Sequence, residues 1–244
     1  MFKTTTNDTR GNAKVILPLL LLIMLLAACS QQVSEPTRHY TVSGTAEGST
    51  NGDTVYLCRV EGMLDMIPTD TTVVSGGKFF FEGETDGAQL RFVVATHRGE
   101  TTAMSVIVLE AADISMKLTR QGIGDKIDGG PSQKLFEEYI DGDNRIAQQL
   151  QVAIDLINDS ASTEQVMLDA ELTIDSLREE RMNYKKRFIT SHIPSAFSDM
   201  LFGLCEPELS ADDRREMLRL LGELQPQYPA YQAAMERDKQ NKKK

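Results

Sequence analysis

Residues 70–83 read Asp-Thr-Thr-Val-Val-Ser-Gly-Gly-Lys-Phe-Phe-Phe-Glu-Gly, and this stretch decides the class of the first half of the chain. Two runs rich in β-branched and aromatic residues flank a Gly-Gly pair, and glycine readily adopts the positive φ angles that tight turns require. The pattern predicts a β-hairpin. Because side chains alternate along a strand, Phe79 and Phe81 should face the core, and Phe80 should face the other side as a possible ligand contact.

The same pattern extends over residues 40–128, where short runs of valine, threonine, phenylalanine and tyrosine alternate with turn residues. Asn51-Gly52 is a second tight-turn dipeptide. The predicted strands cover residues 40–44, 54–60, 71–74, 79–81, 90–95, 105–109 and 114–118. Strands this short bury their apolar faces against one another, so we predict an antiparallel β-sandwich or open barrel.

From residue 129 to residue 232 the apolar spacing changes from 2 to about 3.6, which indicates an α-helical module and an α+β chain. The first predicted helix is interrupted or kinked around Gly142. A capping box of Ser162 and Gln165 opens the second helix.

Two shorter helices complete the predicted module. Ser195 should begin one of them, and Ser210 with Asp213 should cap the last. Pro226 and Pro229 should end the organised part, leaving residues 233–244 as a basic, polar, frayed tail.

Residues 1–28 have the features of a secretory signal: a basic start, an apolar run and small residues before a cleavage point. The run is about a dozen residues, short of the roughly 20 that span a bilayer. The sequence Leu26-Ala27-Ala28-Cys29 resembles the lipobox of bacterial lipoproteins. That resemblance implies a lipidated Cys29 as the membrane anchor, with residues 29–39 as a tether; the alternative is an ordinary signal peptide with an incidental cysteine.

The net charge and the composition of the tether indicate where the protein is located and which partners it can bind. The full chain carries a net charge of −10, and the signal contributes two positive charges, so the remainder carries −12. Because phosphate binding needs clustered Lys and Arg, we expect no nucleic-acid partner. The tether lacks the acidic run that accompanies surface display in Bacteroides-type lipoproteins. We therefore expect an outer-membrane anchor and a protein that faces the periplasm.

Several segments resemble the N-terminal region of Bacteroides-type lipoproteins that end in a thioredoxin-like thiol-disulfide domain. The matching segments are residues 42–44, 52–57, 70–74, 77–83, 109–114, 130–132 and 188–195. The resemblance implies a β-sandwich of unknown function followed by helices. The sequence ends at Lys244, where such proteins begin their thioredoxin-like domain, and it contains no Cys-x-x-Cys. We therefore carry over the fold and not the activity.

No constellation of residues predicts catalysis, a cofactor or a metal site. Cys58 and Cys205 are the candidate thiols, and we expect both to be buried and unpaired. Gly122-Ile123-Gly124 lacks the context of a nucleotide-binding loop, and we read it as a plain connection. Residues 141–144 (Asp-Gly-Asp-Asn) suggest calcium, but a solvated helix break fits them better. The three histidines lack the spacing of metal ligands.

Two functions follow as hypotheses. The first is a non-enzymatic envelope lipoprotein that binds or scaffolds a ligand or an envelope protein. The second is an auxiliary role in thiol-disulfide metabolism, through Cys58, Cys205 or a separate thioredoxin-like protein. Binding of a small ligand between the sandwich and the helices is a third possibility that needs a surface to assess. The sequence does not specify an oligomeric state.

Overall fold

A computed structural model of the chain describes residues 38–61, 65–120 and 126–241, which form a β-sandwich followed by α-helices. The strands are β1 (His39–Ala46), β2 (Thr54–Glu61), β3 (Asp65–Val73), β4 (Phe79–Glu84), β5 (Gln89–His97), β6 (Glu100–Leu109), β7 (Asp113–Leu118) and β8 (Lys126–Asp128). The helices are α1 (Pro131–Asn158), α2 (Glu164–Ser191), α3 (Ala196–Cys205), α4 (Ala211–Leu224) and α5 (Pro229–Asn241), with a 3₁₀ turn at Glu206–Glu208. The signal, Cys29, most of the tether and Gly122-Ile123-Gly124 lie outside the described residues. None of the described helices is long and apolar enough to cross a membrane.

Two four-stranded sheets form the sandwich and confirm the predicted α+β class. Sheet 1 has the order β4-β1-β7-β8, and sheet 2 has the order β3-β2-β5-β6. All described pairs are antiparallel except β1 with β7. Inward-facing residues of both sheets share one core, including Val42 and Ile114 from sheet 1 and Val55 and Ile107 from sheet 2.

The predicted hairpin at Gly76-Gly77 is wrong in its pairing, although its turn is correct. Both glycines have positive φ, 59° and 75°, and Ser75 and Lys78 exchange two backbone hydrogen bonds. However, β3 pairs with β2 in sheet 2, whereas β4 pairs with β1 in sheet 1. The turn therefore carries the chain from one sheet to the other. The Asn51-Gly52 turn also lies between strands of different sheets.

Helix α1 is continuous, so the predicted break at Gly142 is wrong. Gly142 is buried within α1. A Cβ at this position would lie 2.1 Å from the Tyr184 hydroxyl oxygen of α2, so glycine permits the close approach of the two helices. The neighbouring Asp143 is also buried, and the Arg181 guanidinium donates to its two carboxylate oxygens at 2.7 and 2.5 Å. The Asp-Gly-Asp-Asn segment is thus a packed helical turn and not a solvated break.

The predicted helix caps are mostly confirmed. Ser195 and Ser210 cap α3 and α4 by accepting from the backbone N–H groups of Ser198 and Asp213. For α2 the cap is Thr163, one residue later than the predicted Ser162.

The predicted frayed tail is instead helix α5 as far as Asn241. Proline is tolerated in the first turn of a helix, where its missing N–H has no intrahelical partner, so Pro229 starts α5. Ala234 is fully buried in the helical core. Arg237 pairs with the buried Glu206, which also accepts from Arg214 at 2.9 Å. These contacts bind α5 to the rest of the helical module.

A buried junction fixes the helices against the sandwich. The Glu110 carboxylate accepts hydrogen bonds from the Ser132 N–H and hydroxyl, both at 2.7 Å. The Gln133 side-chain carbonyl accepts from the Val108 N–H at 2.9 Å. A Cβ at Gly130 would lie 2.2 Å from a Glu110 oxygen, so this position requires glycine. A carboxylate at a helix N-terminus is favourable because it meets free N–H groups and the positive end of the helix dipole.

Candidate functional site

A groove at the end of sheet 2, where its two strand pairs meet α3 and the start of α5, is the most distinctive surface in the described part of the chain. Four large apolar side chains that line it are exposed to solvent: Val60 (43%), Met66 (43%), Met104 (36%) and Leu204 (53%). The groove has a volume of about 830 Å³. Ligand pockets typically measure about 300–1,000 Å³ and are mostly apolar, so this groove has the dimensions of a binding site.

The groove lies where sheet 2 divides. Strands β2 and β5 pair only from Thr54–Thr96 to Cys58–Phe92. Beyond that point the described residues of β2 pair only with β3, and those of β5 pair only with β6. Arg59, Val60 and Met66 therefore line one side of the opening, and residues 89–92 line the other. Residues of α3 and the start of α5 complete the wall.

The walls of the groove are adaptable as well as apolar. Met66, Met104 and Met200 come from β3, β6 and α3, respectively, and Phe92 contributes an aromatic ring from β5. Methionine is unbranched and polarisable, so it fits ligands of different shapes. The lining therefore favours an apolar ligand over one recognised by many fixed polar contacts.

The polar part of the groove contains the half-buried Arg91. Its guanidinium donates to the backbone carbonyl of Leu90 at 2.9 Å and to the side-chain oxygen of Gln89. No carboxylate among the described residues forms an ion pair with it. Burial lowers the pKa of Arg91, the nearby Tyr40 raises it, and the positive charge of Arg59 lowers it further. Arg91 is thus a cation in a desolvated position without an anionic partner in the described chain.

Arg59 differs from Arg91 because it has an acidic partner. It pairs with Glu61 on the same strand, and both side chains are about half exposed. Arg59 and Arg91 contribute positive charge to the groove, whereas Asp86 and Asp199 contribute carboxylates. Asp86 pairs with Arg38 at 2.8 Å.

Asp199 is a buried carboxylate of the groove wall with a structural role. It accepts hydrogen bonds from the N–H groups of Ala230 and Tyr231, at 2.8 and 3.0 Å. Burial raises its pKa, and these two hydrogen bonds oppose the change. Asp199 thereby caps α5 and holds the start of that helix at the groove.

Both candidate thiols are buried and free, as the sequence predicts. Burial raises the pKa of Cys58 and raises the pKa of Cys205 to about 11. Since the thiolate is the reactive form, neither environment activates a cysteine. Neither residue lines the groove; Cys205 instead borders a smaller neighbouring pocket of about 240 Å³.

The alternation predicted for the three phenylalanines is confirmed. Phe79 and Phe81 are buried, and Phe80 is 50% exposed. Phe80 belongs to sheet 1 and does not line the groove of sheet 2, so its role as a ligand contact stays a prediction.

The histidines have local roles. His97 bonds Asp53 at 2.9 Å, and His192 follows the end of α2 and stacks on Phe188. Within residues 38–61, 65–120 and 126–241, no group of three potential ligand residues could hold a metal ion.

Comparison with known proteins finds a family match over the sandwich. Residues 40–136 match the family model of a domain of unknown function (DUF4369). The DUF4369 match extends beyond β8 into the first turns of α1, so it includes the junction of Glu110 with Ser132. No curated protein matches the chain.

Sequence reasoning identified strands that supply the groove but missed the groove itself. Val60 and Met104 occupy ordinary alternating positions, and Met66 lies in a part of β3 that was not predicted as strand. The apolar run of residues 92–95 in β5 was the available signal, because such runs are typical of strands covered on both faces. The extent of that cover is set by helices more than 100 residues further along the chain, and local pattern cannot reveal it.

Proposed function

We propose that the protein is a non-enzymatic, lipid-anchored lipoprotein of the cell envelope that binds an apolar ligand in the groove of sheet 2. The observation that supports the ligand is the convergence of four exposed apolar side chains on one concave surface. Monomeric proteins seldom expose large contiguous apolar patches unless these serve binding. The lipobox resemblance at Cys29 supports the anchor.

The point at which the chain enters the sandwich, at Arg38, is consistent with a ligand that is exchanged near a membrane. Arg38 lies near the end of the tether and pairs with Asp86, which lines the groove. Nine residues, 29–37, precede Arg38, and they can span at most about 30 Å when extended. An anchor on Cys29 would therefore keep Arg38 within about 30 Å of the lipid surface.

The resemblance to thioredoxin-linked lipoproteins implies a different role, in thiol-disulfide exchange. Direct exchange through Cys58 or Cys205 would require an accessible thiolate, and both thiols are buried with raised pKa values. Assistance to a separate thioredoxin-like protein stays a prediction from the resemblance alone.

Binding of an uncharged, environment-sensitive fluorescent dye to the purified mature protein tests the groove. Met66→Glu places a carboxylate in the groove and should weaken dye binding at least tenfold, since a carboxylate is costly to desolvate against an uncharged ligand. Val73→Glu is the matched control, because Val73 lies on the same strand, is 57% exposed and does not line the groove. Equal binding by the two variants and the wild type would show that the dye, if bound, lies elsewhere.

The anchor has its own test in the native envelope. Cys29→Ala should abolish metabolic labelling with a fatty acid and release the protein from membranes. Cys58→Ala is the control and should retain both properties. Retention of acyl labelling in the Cys29→Ala protein would contradict the lipobox assignment.

A further inference from the structure

We propose that the ligand of the groove is a single-chain amphiphile of the fatty-acid class, with its carboxylate bound to Arg91 and its alkyl chain against the methionine-lined wall. This inference rests on the proposed function, because it names the chemical class of the ligand for the same groove.

The position of Arg91 supplies the argument for an anionic head group. Arg91 is half buried at the opening between the two strand pairs, and its hydrogen bonds go to the uncharged oxygens of Leu90 and Gln89. Since a guanidinium has five N–H donors, it retains capacity for a carboxylate. Arginine also binds carboxylates in a bidentate geometry, through bonds stronger than those between neutral groups.

The second cation of the groove strengthens this assignment. Arg59 and Arg91 are close enough for the charge of one to disfavour the charge of the other. Among the described residues, Arg59 has Glu61 as a partner, whereas no carboxylate neutralises Arg91. An anion bound at Arg91 would relieve the repulsion and compensate the desolvated charge. A neutral ligand would leave both unfavourable contributions in place.

The remaining lining explains the alkyl chain. Phe92 and the three methionines present apolar surface from β5, β3, β6 and α3. Burial of apolar surface is favourable in proportion to its area, so an alkyl chain of about a dozen carbons would supply much of the affinity. The groove volume of about 830 Å³ lies within the range of pockets for ligands of this size.

Displacement of the uncharged dye by dodecanoate and by dodecan-1-ol separates the contribution of the head group from that of the chain. At neutral pH and low salt, we expect dodecanoate to bind about tenfold more tightly than the alcohol, because its carboxylate can form a charge-assisted hydrogen bond with Arg91. Arg91→Met keeps an apolar stem, removes the charge and should abolish this preference. Arg215→Met is the control, because Arg215 is highly exposed, pairs with Asp212 and does not line the groove.

A measurement on the wild type alone tests the inference even if the Arg91→Met protein misfolds. Raising the ionic strength from about 0.01 M to 1 M shortens the Debye length from about 30 Å to 3 Å and should weaken dodecanoate binding to the wild type but not alcohol binding. Equal affinity of the two ligands for the wild type, or a preference that survives Arg91→Met, would overturn the inference. So would a dye that responds to Met66→Glu but is displaced by neither ligand.

Failure of the proposed function would look different from failure of this inference. In that case the dye would not bind the wild type, or would bind it as tightly as it binds the Met66→Glu variant. The carboxylate and the alcohol would then have no groove-bound dye to displace, and both proposals would fall together. A groove that binds the dye without preferring the anion removes only the fatty-acid assignment.

Discussion

Replacing Gly142 by alanine gives the sharpest test of how α1 and α2 pack. Alanine is favoured over glycine in a helix by about 1 kcal/mol, so propensity alone predicts that Gly142→Ala stabilises the protein. The structure predicts the opposite. The new Cβ would lie 2.1 Å from the Tyr184 hydroxyl oxygen and 2.4 Å from its ring carbon Cζ, well inside van der Waals contact.

The cost follows from the contacts that Tyr184 would lose on moving. Its hydroxyl donates to the backbone carbonyl of Tyr139 at 3.2 Å, a bond that contributes about 1 kcal/mol. Its ring stacks on Tyr139 at a centroid distance of 5.7 Å and packs against Phe188 at 6.0 Å, and each such pair contributes about 0.5–1.5 kcal/mol. After subtracting the gain in helix propensity, we expect Gly142→Ala to lower the free energy of unfolding by about 1–3 kcal/mol.

Urea denaturation followed by circular dichroism measures this change, and two further proteins control it. Asn144→Ala alters an exposed position of the same helix and should stabilise by a few tenths of a kcal/mol. In a Tyr184→Ala background the obstructing side chain is absent, so Gly142→Ala should become stabilising by about 1 kcal/mol. The reasoning is refuted if Gly142→Ala stabilises the wild type, or if its effect has the same sign in both backgrounds.

Three further changes test the rest of the fold by denaturation. Glu110→Ala should cost about 1–2 kcal/mol because the N–H and hydroxyl of Ser132 lose their acceptor, and Glu110→Gln should recover part of this loss. Ending the chain after Tyr228 removes α5 and should cost more than about 3 kcal/mol, since it removes buried contacts and leaves Asp199 buried without its two donors; unchanged stability would mean that α5 is dispensable. The pKa of Cys205 is about 11 in the folded protein against an ordinary 9.0, so its contribution is constant below pH 9 and stability should fall by up to about 3 kcal/mol between pH 9 and 11. Cys205→Ala should lack that component of the pH dependence, and a curve identical to that of the wild type would contradict it.

The sequence predicted local features well because they depend on neighbouring residues. The alternation of Phe79, Phe80 and Phe81 correctly gave buried, exposed and buried side chains. The same reasoning could not give the strand partners. Gly76-Gly77 specifies a reversal of the chain, but the strands on either side of it pair in different sheets, and Phe79 and Phe81 are buried in the core between those sheets.

Errors in the helical half have the same origin. Glycine has low helix propensity, so Gly142 was read as a break, but the reason for glycine there is Tyr184, which lies 42 residues away. Pro229 was read as an end because proline disrupts helix interiors, yet it occupies the one part of a helix that tolerates it. In both cases the residue type was informative, and its meaning depended on a partner or a position that sequence alone does not supply.

The groove is bordered by a strand and a helix of different lengths. Strand β5 has nine residues and extends about 30 Å, whereas α3 has ten residues and is about 15 Å long. The helices cover only part of sheet 2: Leu90 of β5 and Val108 of β6 are packed in the helical core, while Met104 of β6 and Val60 of β2 stay exposed. Because apolar surface left in water costs free energy in proportion to its area, a ligand that covers Met104 and Val60 would gain affinity from their burial.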